Sequence, residues 1–110
     1  MSTALRNYLL QRVSALVMAP LVIAHLSLIV YAVRDGLSAS EIIARTHGSV
    51  AWGLFYTTFV VAAATHADIG VRNVLIEWSP LSRRAALLLA HGLGLLILVL
   101  GLRAVYAVIA

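Results

Sequence analysis

Residues 49–67, SVAWGLFYTTFVVAAATHA, contain no charged side chain, and Asp68, Gly70, Arg72 and Glu77 lie just beyond them. An α-helix needs roughly 20 apolar residues to cross the hydrocarbon core of a bilayer. The stretch therefore reads as a membrane span with an imidazole, His66, inside it. Ionisable groups at that depth are costly, so they are rare and usually functional. Neutral imidazole is also the commonest protein ligand for metals. Three roles follow for His66: a metal ligand, a proton carrier, or a hydrogen-bonded packing residue.

Two further runs match the first. Val13–Val33 is uncharged and stops at Arg34-Asp35-Gly36, and Ala85–Leu102 is uncharged and stops at Arg103. The last run is expected to continue past Arg103, whose guanidinium snorkels towards a headgroup layer. This predicts helices over about residues 13–33, 49–72 and 82–109, in one membrane domain covering residues 1–110. The fold class is an all-α membrane protein with three transmembrane helices. So small a bundle is expected to join a heteromeric one.

Composition agrees. The chain is 63% hydrophobic and 11% charged, with a mean hydropathy of +1.02; a soluble domain carries about 25% charged residues. The first run exceeds the roughly 7–15 apolar residues of a secretory signal and has no good small-x-small cleavage site before the Arg34-Asp35-Gly36 stop, so it does not read as a secretory signal. No cysteine is present. Disulfides and cysteine-ligated iron–sulfur or zinc sites are therefore excluded within this chain. Any iron–sulfur chemistry belongs to a partner.

Charge placement points to a membrane rather than to nucleic acid. All eight basic residues are arginine, the net charge is +4, and the arginines sit at the ends of apolar runs. They form no basic face with interleaved aromatics. Arg6, Arg12, Arg72, Arg83 and Arg84 flank one side of the expected bundle, and Arg34, Arg45 and Arg103 the other. The excess predicts a cytoplasmic N-terminus and a cytoplasmic second loop. In the first loop, Ser38-Ala39-Ser40-Glu41 has capping-box spacing and predicts a short surface helix over 41–46, before Gly48. Ser79-Pro80-Leu81-Ser82 breaks the chain, with proline suited to a helix start.

Helical spacing groups the candidate residues. Thr58, Ala62, His66 and Gly70 recur every four residues and share a stripe. Small side chains there leave room for a large flat group or for a close helix. Ala86, Ala90 and Gly94 form a second small stripe, with His91 beside it. Ser14, Met18, Leu21, His25 and Ile29 form a bulkier face on the first helix. Asp68 or a backbone carbonyl is expected to orient the second ring nitrogen of His66. His47, before Gly48, reads as solvated.

The pattern His66-x3-Gly70-x-Arg72-x4-Glu77 resembles the second-helix signature of the cytochrome b-type membrane-anchor subunits of succinate dehydrogenase and fumarate reductase. Gln11-Arg12-Val13-Ser14 resembles the His-Arg-x-Ser/Thr element that opens that family's first helix. The three-helix layout is similar as well. The chain differs in carrying Gln11 where the family often has histidine, Ala15 for glycine, Tyr8 for a quinone-contacting serine, Asn73 for histidine and Glu77 for aspartate. Glu77-Trp78 is similar to an acid–tyrosine pair of the smaller anchor subunit, whereas Arg12 and Arg72 favour the larger one.

The resemblance implies a haem b-binding anchor subunit of a succinate:quinone oxidoreductase in a bacterial cytoplasmic membrane. His66 would be an axial ligand of haem iron, with the other ligand on a companion anchor subunit. Arg12 and Arg72 would meet haem propionates, and Arg12, Ser14, Tyr8 and Trp78 a quinone, with Ser14 the favoured donor. His25 would ligate a second haem, if there are two, or else be a buried packing residue. His91 would pack or touch a propionate. Trp78 reads equally as an interfacial anchor, and Arg72 equally as an interfacial charge. The partners would be lipid, the second anchor, an iron–sulfur subunit and a flavoprotein; dicarboxylate chemistry, and so any catalytic residue, would lie on those other chains. Two alternatives stand beside this: a cofactor-free membrane scaffold, and a haem-free anchor that keeps only the quinone site.

Overall fold

The structure is a computed structural model and describes residues 2–110. Four helices follow one another: α1 (Thr3–Arg34), α2 (Ala39–Thr46), α3 (Val50–Trp78) and α4 (Arg83–Ile109). Helices α1, α3 and α4 are long and apolar enough to cross a membrane. The bundle is 47 Å long, enough for a bilayer of about 40–45 Å including its headgroups. The last span matches its expected bounds, and the first two outrun theirs. α1 starts at Thr3 rather than near 13, and α3 runs to Trp78 rather than 72. A helix does not end where the hydrocarbon ends: Arg6, Asn7, Gln11 and Arg12 are polar yet compatible with helix, so they extend α1 into the headgroup zone.

Local chemistry sets the ends. The Ser2 hydroxyl accepts from Leu5 N–H and opens α1. Gly36, at φ +64°, closes it, and the Gly36 and Leu37 N–H groups bond back to the Val33 and Ala32 carbonyls. That is the paired hydrogen-bond pattern of a glycine-terminated helix. The expected capping box is present between Ser38 and Glu41, and α2 begins at Ala39. Ser49 and Ser82 cap α3 and α4. Pro80 lies in the linker, so the serine two residues on, not the proline, starts the last helix.

Helix α3 is central and packs against both α1 and α4. Against α4 the approach is close. Ala86 and Ala90 are 0% exposed. A Cβ added to Gly94 would come within 3.0 Å of Asp68 Cβ, and one added to Gly101 within 2.5 Å of Val60 Cγ1. The stripe Ala86–Ala90–Gly94 is therefore spent on this contact. Helices in lipid associate through such close packing, because hydrocarbon tails are as apolar as leucine. At the far end, α2 is clipped to the end of α4: Thr46 Oγ1 donates to the Val108 carbonyl (2.6 Å) and Gly48 N–H to the Ile109 carbonyl (2.7 Å). Those bonds satisfy carbonyls that a helix end leaves open. Arg45 donates to the Tyr31 hydroxyl (3.2 Å), which raises the guanidinium above its ordinary value.

Candidate functional site

His66 lies on α3 facing α1. Its Nδ1 is 3.3 Å from Ser14 Oγ, and the same hydroxyl donates to the Gln11 carbonyl at 3.0 Å. A serine has one hydroxyl hydrogen. With that hydrogen given to Gln11, the serine oxygen accepts from an Nδ1–H, a tautomer fixed by the network rather than seen directly. Nε2 then keeps its lone pair, and it has no hydrogen bond to another side chain among the described residues. Ser14 is buried and His66 half-buried. Ser14 therefore stands where Asp68 or a backbone carbonyl was expected to orient the ring.

One turn above, Gln11 lies against Gly70, where an added Cβ would stand 3.1 Å from Gln11 Nε2. The His66 stripe on α3 thus receives α1 over part of its length. Its lower part, at Thr58 and Ala62, lines an open recess with Val17.

Three arginines converge nearby. Arg12, Arg72 and Arg83 line one recess of about 420 Å³ with Tyr8, Gln11 and Asn73. Arg72 is only 9% exposed, and among the described residues no carboxylate forms an ion pair with it. A buried charge without a partner is costly. Arg12 rests 5.6 Å from the Tyr8 ring centroid, a cation–π distance. Buried Gln11 Oε1 has no hydrogen-bond partner among the described residues. Ser14 is not part of this recess.

Asp68 and His91 pair with each other. His91 Nδ1 is 2.9 and 2.8 Å from the two Asp68 carboxylate oxygens, and the pair joins α3 to α4. It lines a second polar recess with Arg6 and Arg72.

His25 sits deep on α1, between the rings of Phe59 (5.3 Å) and Tyr56 (6.0 Å). Its Nδ1 is buried and unpaired among the described residues, and it borders two recesses beneath α2. Trp78 is 83% exposed at the end of α3, and His47 is exposed at the end of α2. Among the described residues, no group of three His, Asp or Glu side chains is placed to hold a metal ion. A metal on His66 therefore needs ligands from outside the chain.

The structure thus brings together Ser14 and His66, separately Tyr8, Arg12 and Arg72, and on another recess Arg72 and His91, while His25 and Trp78 stand apart. Sequence reasoning passed over Arg83 and the side chain of Gln11. The available signal for Gln11 was its place one residue before Arg12 and one turn before Ser14.

A sequence model of the family described as succinate dehydrogenase/fumarate reductase transmembrane subunit matches residues 3–102. The chain belongs to that family. No curated protein and no solved structure matched it. Family membership and three spanning helices together make this an integral membrane subunit of the succinate dehydrogenase/fumarate reductase type.

Proposed function

We propose that this subunit is a haem b-binding anchor of a succinate:quinone oxidoreductase, of the larger anchor type, with His66 as the axial ligand it contributes. The observation that carries the reading is the Ser14–His66 hydrogen bond. Histidines that bind metal characteristically donate their other ring N–H to a fixed acceptor, which sets the tautomer and frees the ligating nitrogen. His66 and an imidazole of a companion anchor subunit would hold haem b, which would supply one-electron transfer between the iron–sulfur subunit and quinone. Ser14 then positions His66 instead of serving the quinone.

Arg72 supports the same reading. It lies six residues beyond His66 on α3, about 9 Å along the helix axis. A haem propionate would give its unpaired guanidinium a carboxylate, a geometry that arginine binds bidentately. Arg12 and Tyr8 line the recess that suits a quinone. Donors held there stabilise a carbonyl oxygen as it gains charge during reduction. Trp78, exposed at the helix end, serves as an interfacial anchor. The arginine-rich end faces the cytoplasm of a bacterial cell, where the iron–sulfur subunit docks and hands on electrons drawn from succinate by the flavoprotein.

A reduced-minus-oxidised absorption spectrum of the purified complex tests the proposal. A b-type α-band lost in His66→Ala supports it, and a fully retained band sinks it. Assembly of all subunits with no haem band in the parent complex would favour a haem-free anchor. A second haem on His25 is favoured by one observation, the unpaired buried Nδ1 beside a recess. Two haems per complex, falling to one in His25→Ala, would bear that out; one haem in the parent would remove it.

A further inference from the structure

We propose that His91 supplies protons to a quinone reduced in the arginine recess, with Asp68 holding its ring. The inference rests on the reading of that recess as the quinone site. Reduction of a quinone to a quinol takes up two electrons and two protons, and each carbonyl oxygen ends as a hydroxyl. On that reading the electrons arrive from the iron–sulfur subunit, and the protons come from cytoplasmic water. The recess is poorly equipped to deliver them. Its charged side chains are Arg12, Arg72 and Arg83, and a guanidinium does not release its proton in proteins. Tyr8 is the one hydroxyl among the described residues that line it. A phenol that passes on its proton must have it replaced.

The adjoining recess holds what is missing. Asn7 and Arg72 line both, and Asp68 and His91 stand on the second. Imidazole is the side chain that ordinarily changes charge between about pH 5 and 8, and His91 is the one histidine on either recess among the described residues. Its Nδ1 is 2.9 and 2.8 Å from the two Asp68 oxygens. A carboxylate only accepts, so Nδ1 carries a hydrogen and Nε2 is left to exchange a proton. The His91 side chain is 57% exposed in the single chain. Thr3 and Arg6 line the same recess, which therefore reaches from His91 to the arginine-rich end of the bundle. Its volume is about 390 Å³, room for several waters at about 30 Å³ each. In the step, the Nε2–H bond of the imidazolium breaks and the proton passes through the recess, by way of Asn7 and Arg72, to a quinone oxygen. Cytoplasmic water then reprotonates Nε2, while the Asp68 carboxylate accepts from Nδ1 throughout. Arg6 of α1 and Arg72 of α3 are the other charged groups on this recess among the described residues.

The test uses the assembled complex, with the haem spectrum and succinate oxidation by a soluble dye as checks that every subunit is intact. His91→Gln keeps a polar side chain but has no proton to give. Loss of a positioned donor predicts a quinone-reductase kcat roughly tenfold or more lower at about pH 8, with the quinone KM and the b-type band unchanged. The deficit is expected to shrink at about pH 6, where water itself delivers protons faster. His91→Ala should behave alike and recover when imidazole is added to the buffer, which a role confined to joining α3 and α4 would not produce. A kcat equal to that of the parent, a deficit that is the same at both pH values, or no recovery with imidazole would overturn the inference. Arg12→Ala separates the two levels of argument. If it raises the quinone KM while His91→Gln leaves kcat unchanged, the recess is the quinone site and only the role of His91 is lost. If Arg12→Ala leaves the quinone KM unchanged, the quinone site lies elsewhere and both readings fall.

Discussion

The two faces of α3 are built on opposite plans. Towards α4 the contact is small, close and self-sufficient: Ala86 and Ala90 are fully buried, Gly94 and Gly101 admit the α3 side chains, and Asp68 pairs with His91. Towards α1 the contact is polar and incomplete. Among the described residues, Ser14 holds one nitrogen of His66, Arg72 is buried without an acid, and Gln11 Oε1 and His25 Nδ1 have no partner. A seam made by steric fit alone needs nothing more. A seam that leaves buried donors and acceptors open is destabilised by each of them, and a bound group that completes them offsets that cost. The difference sets a seam closed by its own side chains against one that leaves polar groups open.

Substitutions on the two faces put that contrast at risk. The largest effect is expected at His66→Ala, which should abolish the b-type absorption band while the complex still assembles; a band of normal height would erase the distinction between the faces. Next comes Gly101→Ala, where the new methyl meets Val60 at 2.5 Å. Overpacking of this kind costs about 1–3 kcal/mol, read as a lowered melting temperature of the complex with haem content per folded protein unchanged. Ser14→Ala removes the partner of His66 but not the ligand itself. Loss of such an orienting group weakens metal affinity about 10–100-fold, so haem should be retained at saturation and lost more readily on dilution or detergent washing. If haem retention matches the parent, Ser14 is not what orients the ring.

The smallest effect on haem and stability is expected at His91→Gln. The His91 side chain is 57% exposed in the single chain, and exposed pairs contribute about 0–1 kcal/mol. The haem band should be unchanged and the melting temperature nearly so. A lost band would move the ligand from α3 to α4 and reverse that contrast.

Much of this was legible before any coordinates. The capping box at Ser38 and Glu41 is local and appears as expected, and the first helix ends at the Arg34-Asp35-Gly36 stop. The alanine–glycine stripe on α4 was legible as a row of small side chains, open to a flat group or to a close helix; the structure gives it to α3. Boundaries were less legible, because hydropathy marks the edge of the hydrocarbon rather than the last hydrogen-bonded turn. The partner of His66 was misjudged. Asp68 follows it by two residues, and at about 100° per residue it faces roughly the opposite side of the helix. It therefore meets α4 and His91, while His66 meets α1 and Ser14.

The sequence by itself determined the class, the three spans, the arginine-rich end and the family signature. Transfer into a bilayer is close to a sum over about 20 consecutive side chains, so each span is decided without reference to its neighbours. Tertiary structure alone decided which groups are paired and which are left open among the described residues: Ser14 with His66, Asp68 with His91, and Arg72 and Gln11 Oε1 without partners. Hydrogen bonds act over about 3 Å and depend on direction. They follow from how the helices are rotated against one another, and that rotation is set by the glycine and alanine contacts of the assembled bundle.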